Sequence, residues 1–278
     1  VKPLFFPGGD IGKISVCGTV NDLAVSGANP RYLSLAFIIE EGFSMENLKK
    51  IIGSIEETAR EAGVLVITGD TKVVERGSGD EIFINTSGIG VIEYAHNLTL
   101  AGAKEGDKII INGYIADHGI SVMLQRSGLT VDLPVESDVA PLNGLVQDIL
   151  NSSNQIRCFK DPTRGGLAGA LNEIAIASSL GIVVYEKNIP VRKEVKGACD
   201  LLGFDPLTVA NEGKIITICA GNEAEHVLSV MKKHKYGRAS VIIGEVVNKH
   251  KGRVIVKTPV GGSRILERPY GENLPRIC

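Results

Sequence analysis

Six short stretches of this chain carry residue types that could do chemistry: FPGGDIGK (6–13), GTVNDLAVSGA (18–28), TGDTKVV (68–74), FKDPTRGGLAGA (159–170), ANEGK (210–214) and the terminal ENLPRIC (272–278). In the first, Gly8 and Gly9 would let backbone N–H groups approach a phosphate, with Asp10 and Lys13 close behind. The P-loop spacing fails, however. A match ending at Gly12–Lys13 needs glycine where Pro7 stands, and Ile14 replaces the required hydroxyl residue. From composition alone the stretch reads as a tight turn. Asn21 and Asp22 fall in a helix otherwise lined by Val16, Val20, Leu23 and Ala24. A carboxylate there is usually a solvated-face residue, with a hard oxygen ligand for a cation as the other reading. Asp70, Thr71 and Lys72 follow a strand and would project from its end, where ligand sites often sit. Asp161 and Thr163 precede a Gly-rich helix start, Gly165 included, and Arg164 is available to grip an anion. Glu212 occupies a turn before a buried strand. Singly, each could be a cap, a turn or a surface charge.

The last stretch raises a different question. Cys278 is the final residue, preceded by polar, proline-containing sequence with no apolar periodicity. An exposed thiol on a loose terminus is a chemical liability. Either it is an accident or the thiol has work to do. The other four cysteines, Cys17, Cys158, Cys199 and Cys219, are scattered and form no C-x-x-C pair. That argues against a disulfide framework or zinc ribbon and for a reducing, cytoplasmic setting. Cys219 lies in the apolar run KIITICA and reads as inert core.

The elements that must position these residues alternate along the chain. SMENLKKIIGSIEETAREAG opens on Ser44 as N-cap and ends on Gly63, placing Met45, Leu48, Ile52, Ile55 and Ala59 on one helical face. VLVITGD reads as a buried strand running into a loop, and EIFINTSGIGVI as its neighbour. After a break at EYAHNLTLAGAKEGD the pattern restarts with strand KIIING and helix DHGISVMLQRSG. Later come helix GGLAGALNEIAIASSLG, strands IVVYE and KIITICA, helix NEAEHVLSVMKKHK, and strands ASVIIGEVV and RVIVK. Strand pairs recur without an intervening helix, so two successive α+β units fit better than one doubly wound sheet. The expected boundaries are 1–97, 98–262 and a flexible tail from 263 to 278. With 278 residues, 44% of them hydrophobic, the chain can bury a large core. A net charge of −2 gives no basic surplus for nucleic acid or anionic membrane. No apolar run approaches the ~18 residues that would span a bilayer.

Taken together, in this order and at these separations, the six stretches resemble the HypE family of hydrogenase maturation factors, within the aminoimidazole ribonucleotide synthetase-like ATP-binding superfamily. TGDTKVV and the terminal PRIC are the most specific parts, and the resemblance runs over essentially the whole chain. It implies a fold of two successive α/β-sandwich domains, the first binding ATP and forming a homodimer. It also implies a chemistry. The terminal cysteine is the substrate: a HypF-type carbamoyltransferase loads a carboxamide onto its sulfur, ATP drives dehydration to a thiocyanate, and the cyanide passes to iron on a HypC–HypD scaffold. By resemblance Asp22 and Asp70 are Mg²⁺ ligands, Lys72 and Glu212 handle amide protons, and Cys278 is the acceptor. Gly8, Gly9, Asp10, Lys13, Asn21, Thr71, Asp161, Thr163, Arg164 and Gly165 border the nucleotide. Family members carry a Gly-rich segment and acidic positions upstream of PLFFPGG, so the resemblance implies a shortened start and weak nucleotide binding by residues 1–278. Two rival functions remain: a small-molecule kinase or synthetase of the same superfamily, which has no use for a terminal cysteine, and a non-catalytic scaffold with a docking tail.

Overall fold

The structure is a computed structural model that describes residues 1–93, 97–128, 135–269 and 277. β1 (Phe5–Phe6) and β2 (Gly9–Asp10) form a short antiparallel ribbon that turns directly into α1 (Ile11–Val25). Asp10 caps this helix by accepting the Lys13 N–H at 2.9 Å. After β3 (Asn29–Glu40), α2 (Met45–Ala62) starts where the sequence puts it, with the Ser44 hydroxyl accepting from the Asn47 N–H at 3.3 Å. It stops at Gly63, whose left-handed φ of 69° suits glycine. The buried face overlaps the expected one at Ile55, Ala59 and, partly, Leu48, but is rotated from it. Ile51, Ile55, Thr58, Ala59 and Ala62 point inward, whereas Met45 and Ile52 are exposed. The cause is the approach of α1: a Cβ on Gly12 would stand 2.5 Å from the Ile51 carbonyl oxygen, so the helices meet at Ile51.

β4 (Leu65–Val74) lies parallel to β3 on one side and β5 (Ile82–Val91) antiparallel on the other, giving the order β4-β3-β5. α1 and α2 cover one face of this sheet, over a core that includes Val16, Val20, Leu33 and Ile51. The opposite face is open: Ile38, Phe83, Ile89 and Val91 are all exposed. β4 corrects the sequence reading twice. It is an exposed edge strand, not a buried one, and it continues through Val74, so Asp70, Thr71 and Lys72 sit inside it and not beyond its end.

The second unit builds one seven-stranded sheet. Along the chain run β6 (Lys108–Ile111), α3 (Asp117–Ser127), α4 (Asn143–Ser152), β7 (Ile156–Lys160), α5 (Gly166–Ser178), β8 (Gly181–Tyr185) and α6 (Lys193–Leu202). They are followed by β9 (Ile216–Cys219), α7 (Ala224–Lys233), β10 (Val241–Val247), β11 (Val254–Lys257) and β12 (Ser263–Leu266), and the strand order is β12-β11-β8-β10-β6-β9-β7. Its middle explains why KIII has no polar alternation. Ile109 and Ile111 pack with α5 residues such as Leu167 and Leu171, while Ile110 joins Leu145, Ile149, Val227 and Met231 of α4 and α7 on the other face. Strands covered on both faces read as continuous apolar runs. Each isoleucine with no exposed surface contributes about 1.5–3 kcal/mol of burial. β12 moves the start of the tail: residues 263–266 pair antiparallel with β11, and Leu266 is buried in the same core. Among the described residues no helix is long and apolar enough to cross a membrane.

Candidate functional site

Where α1 meets the second unit, Asp22, Asp161, Thr163, Arg164, Glu212 and Lys214 line a cleft of about 440 Å³. The fold brings them there from three directions. Asp22 comes from the last turns of α1, Asp161 to Arg164 from the loop between β7 and α5, and Glu212 from the turn before β9. The buried Asn211 side chain ties the loops together. Its Nδ2 donates to the carbonyls of Pro162 and Val209, both at 3.0 Å, and its Oδ1 accepts the Ala116 N–H at 2.7 Å. The Thr163 hydroxyl donates to Asp161 at 3.0 Å, fixing that carboxylate.

Glu212 is held most tightly. Its backbone N–H donates to Asp138 Oδ1 at 3.1 Å, and Lys214 Nζ lies 2.8 Å from Asp138 Oδ2. Gly213 is required between them, because a Cβ there would stand 1.7 Å from the Asp138 carbonyl oxygen. Burial would raise the Asp138 carboxyl, but the Lys214 ammonium and the Glu212 N–H hold it below the ordinary carboxylate range. Glu212 is driven the other way. Burial pushes its pKa well up, and the negative charges of Asp138, Asp161 and Asp22 push it further. Asp22 is likewise raised, by burial and then by Asp161. Carboxylates that repel one another across a shared cleft form the kind of charge pattern that a cation relieves. Among the described residues, no three His, Cys, Asp or Glu side chains converge into a complete cage.

Several expected nucleotide contacts have other occupations. Asp10 is the α1 cap and also accepts from the Ser54 hydroxyl. Gly8 and Gly9 permit close packing on the loop around Ser137: a Cβ on Gly8 would lie 2.7 Å from Ser137 N, and one on Gly9 2.8 Å from Val139 Cγ1. Lys13 lines a different cleft, of about 830 Å³, together with Gly8, Tyr114, Asp117 and Lys235; Lys214 borders both clefts. Asn21 touches the carboxylate cleft, but its amide is committed to backbone. Nδ2 donates to the carbonyls of Ala140 (3.0 Å) and Glu212 (3.2 Å), and Oδ1 accepts the Leu142 N–H (2.8 Å). Asn21 therefore positions Glu212. Gly165, with φ of 73°, starts α5 beside Pro269, and Arg164 stays exposed at the rim. Asp70, Thr71 and Lys72 do not reach the cleft within one chain. They stand exposed on β4, where Asp70 and Thr71 border a shallow groove with Leu35 and Phe37. Cys278 lies outside the described residues.

Sequence reasoning missed Asp138, Lys214 and Asn211. Lys214 stood in the quoted ANEGK beside Glu212, and that adjacency was the available signal. Asp138 acts from 74 residues away, with no local pattern to mark it.

Comparison with known proteins agrees with this architecture. Residues 1–92 match the family model of the AIR synthase related protein N-terminal domain, and residues 104–257 that of its C-terminal domain. The carbamoyl dehydratase HypE of Azotobacter vinelandii is 50% identical over all of this chain and 82% of its own length. The carbamoyl dehydratase HypE of Escherichia coli K12 is 45% identical with the same coverage. A crystal structure of HypE in complex with ATP superposes with a TM-score of 0.96 at 45% identity, over 100% of this chain and 84% of that one. A HypE–HypF complex does so with a TM-score of 0.94 at 52% identity, over 97% and 88%. Thiamine-monophosphate kinase from Stenotrophomonas maltophilia, at a TM-score of 0.70 and 18% identity, shares the fold alone. The chain thus belongs to the HypE family of carbamoyl dehydratases, enzymes built on paired AIR synthase related domains.

Proposed function

We propose that this chain uses ATP to dehydrate a carboxamide carried on the sulfur of its own terminal residue, Cys278, giving a thiocyanate that supplies the cyanide ligand of a NiFe-hydrogenase iron. One observation carries the assignment of the acceptor. Ile277, the residue bonded to Cys278, is buried in the body of the enzyme against Val139 and Ala210, next to the Asp138–Glu212 contact. Ile277 thereby sits against Val139, in the same loop whose Asp138 holds the Glu212 N–H. Dehydration must expel an oxygen that leaves poorly and remove two N–H protons that are barely acidic. Transfer of the γ-phosphoryl group to the amide oxygen lets that oxygen depart as phosphate, with ADP as the other product. The nitrogen gives up both protons as its bond to carbon becomes triple. Glu212, with its raised pKa, is the stronger base once ionised and the group suited to take one of them. Asp22 and Asp161 would share Mg²⁺ with the phosphates, and Arg164 and Lys214 would offset their charge. A HypF-type enzyme loads the carboxamide and a HypC–HypD complex receives the cyanide. To test the reading, the carbamoylated protein is incubated with ATP. Phosphate release should match the loss of one water's mass from Cys278. A carbamoylated chain that binds ATP and releases no phosphate would leave only the scaffold reading.

The open sheet supports a homodimer. Phe83, Ile89 and Val91 form an apolar face, and β4 leaves a strand edge unpaired within the chain, a combination that a second copy would cover. Such pairing would also carry Asp70 and Lys72 toward a partner's cleft, which one chain does not do. Ile89→Lys with Val91→Lys should convert a dimer to a monomer in light scattering and lower turnover together with it. A parent protein that is monomeric and fully active would refute the arrangement.

A further inference from the structure

His118 lies one residue into α3 and has no exposed surface. Its Nδ1 is 2.8 Å from the Ser137 hydroxyl, and its Nε2 meets the carbonyl oxygen of Ile277. The Ile277 carbonyl can only accept, so Nε2 carries the hydrogen, and in the neutral ring Nδ1 takes the Ser137 hydroxyl proton while the Ser137 oxygen accepts the Val139 N–H at 3.2 Å. Nδ1 is therefore the acceptor and Nε2–H the donor to Ile277. Burial lowers the imidazole pKa, which keeps the ring in this neutral form; the Ile277 carbonyl and Asp138 oppose that shift, and the chain's N-terminal amine reinforces it. Phe6 packs edge-on against the ring, with centroids 5.4 Å apart and planes at 82°. The Ile277 side chain is 1% exposed among Phe6, Cys17, Val122, Val139 and Ala210. Residue 277 is thus gripped by its side chain and by its carbonyl, and that carbonyl belongs to the peptide bond leading to Cys278.

We propose that His118 is a positioning residue for the acceptor cysteine: by donating to the oxygen of the 277–278 peptide it sets where Cys278 is presented, and Ser137, donating to Nδ1, supports the tautomer that allows this. The inference rests on the reading of Cys278 as acceptor. The seat is also wired to the cleft. Ser137 precedes Asp138, which accepts the Glu212 N–H, so the loop that orients His118 also orients Glu212. One neutral hydrogen bond and one aliphatic side chain hold the tail firmly enough to orient it and weakly enough to release it to a partner.

Two readouts in the full chain test this. The first is the alkylation rate of Cys278, located by peptide mass spectrometry; the second is single-turnover conversion of carbamoyl-Cys278 with ATP. His118→Leu should speed alkylation about tenfold and slow conversion about tenfold or more, with ATP affinity unchanged. His118→Gln keeps an N–H donor and should recover much of both. Ile277→Ala leaves His118 in place, so it also tests the seat should His118→Leu fail to fold, and it should raise alkylation to a similar degree. Parent-like alkylation in Ile277→Ala, or in a folded His118→Leu, overturns the proposal. So does slowed conversion that only tracks lost ATP affinity and that Gln does not rescue. If instead the parent protein never converts carbamoyl-Cys278, the functional reading fails, while the alkylation rates still decide whether His118 seats the tail.

Discussion

Cys278→Ala should accept no carbamoyl group and form no thiocyanate, while melting as the parent does. The loss is complete because no other thiol can substitute. Cys17, Cys158, Cys199 and Cys219 are all buried. Burial pushes Cys158, Cys199 and Cys219 up to about 12 and Cys17 further still. The thiolate is the nucleophile, and a pKa near 12 leaves a fraction of only about 10⁻⁵ ionised at neutral pH. These sulfurs are both inaccessible and unreactive. Stability should hold because Ile277 keeps its packing against Phe6, Cys17 and Val122 in the variant. Intact-protein mass spectrometry after incubation with the loading partner reads the first expectation, and trapping of released cyanide reads the second. A carboxamide found on Cys17 or Cys158 would sink the assignment of the acceptor.

Much of the fold was legible because local signals and tertiary packing agree. Ser44 and Gly63 mark both ends of α2, and the apolar run of β6 announces a strand covered on both faces. The failures have physical causes. The inward residues of α2, Ile51, Ile55, Thr58, Ala59 and Ala62, do follow helical spacing, but two small or polar members, Thr58 and Ala62, carry too little apolar signal to outweigh Met45 and Ile52 in a sequence reading. The apolar character of Leu65, Val66 and Ile67 predicts burial, but all three are exposed on the edge strand, because strand type is set locally and burial by what packs on it. α4 and α6 went unread, although Leu145, Val146, Ile149 and Leu150 in α4 and Val195, Ala198 and Cys199 in α6 are buried at helical spacing. The site divides along the same line. Asp22, Asp161 and Glu212 were found from motif and resemblance and do share a cleft. Asp10 and Asn21 carry the right chemical types but satisfy backbone donors and acceptors instead, a role that only the folded chain reveals. Asp138 and His118 stand in no motif, because their partners lie 74 and 159 residues away in sequence.

Glu212→Gln should still bind ATP yet accumulate unconverted carboxamide on Cys278, with single-turnover conversion slowed roughly 10²–10⁴-fold, the range for a lost proton-transfer group. The substitution is nearly isosteric and removes a charge that burial and three neighbouring carboxylates disfavour, so the melting temperature should not fall. The pH profile supplies a second, signed expectation. A base must be ionised to act, and Glu212 is raised above the ordinary carboxylate value. Conversion by the parent should therefore climb as pH rises through that raised pKa and level off above it, and Glu212→Gln should lose the climb. Asp22→Asn should behave in the opposite manner. Losing a carboxylate that would hold the cation weakens the anchor of the phosphates, so ATP affinity falls and added Mg²⁺ partly restores it. The two variants thus separate binding from proton transfer in a cleft where both side chains face the same space. Titration of ATP against each, alongside single-turnover conversion at saturating nucleotide, makes the distinction. If Glu212→Gln lost ATP affinity but converted normally whatever it bound, Glu212 would belong to the binding shell. The base would then have to be another group, Lys72 of the proposed dimer partner or solvent.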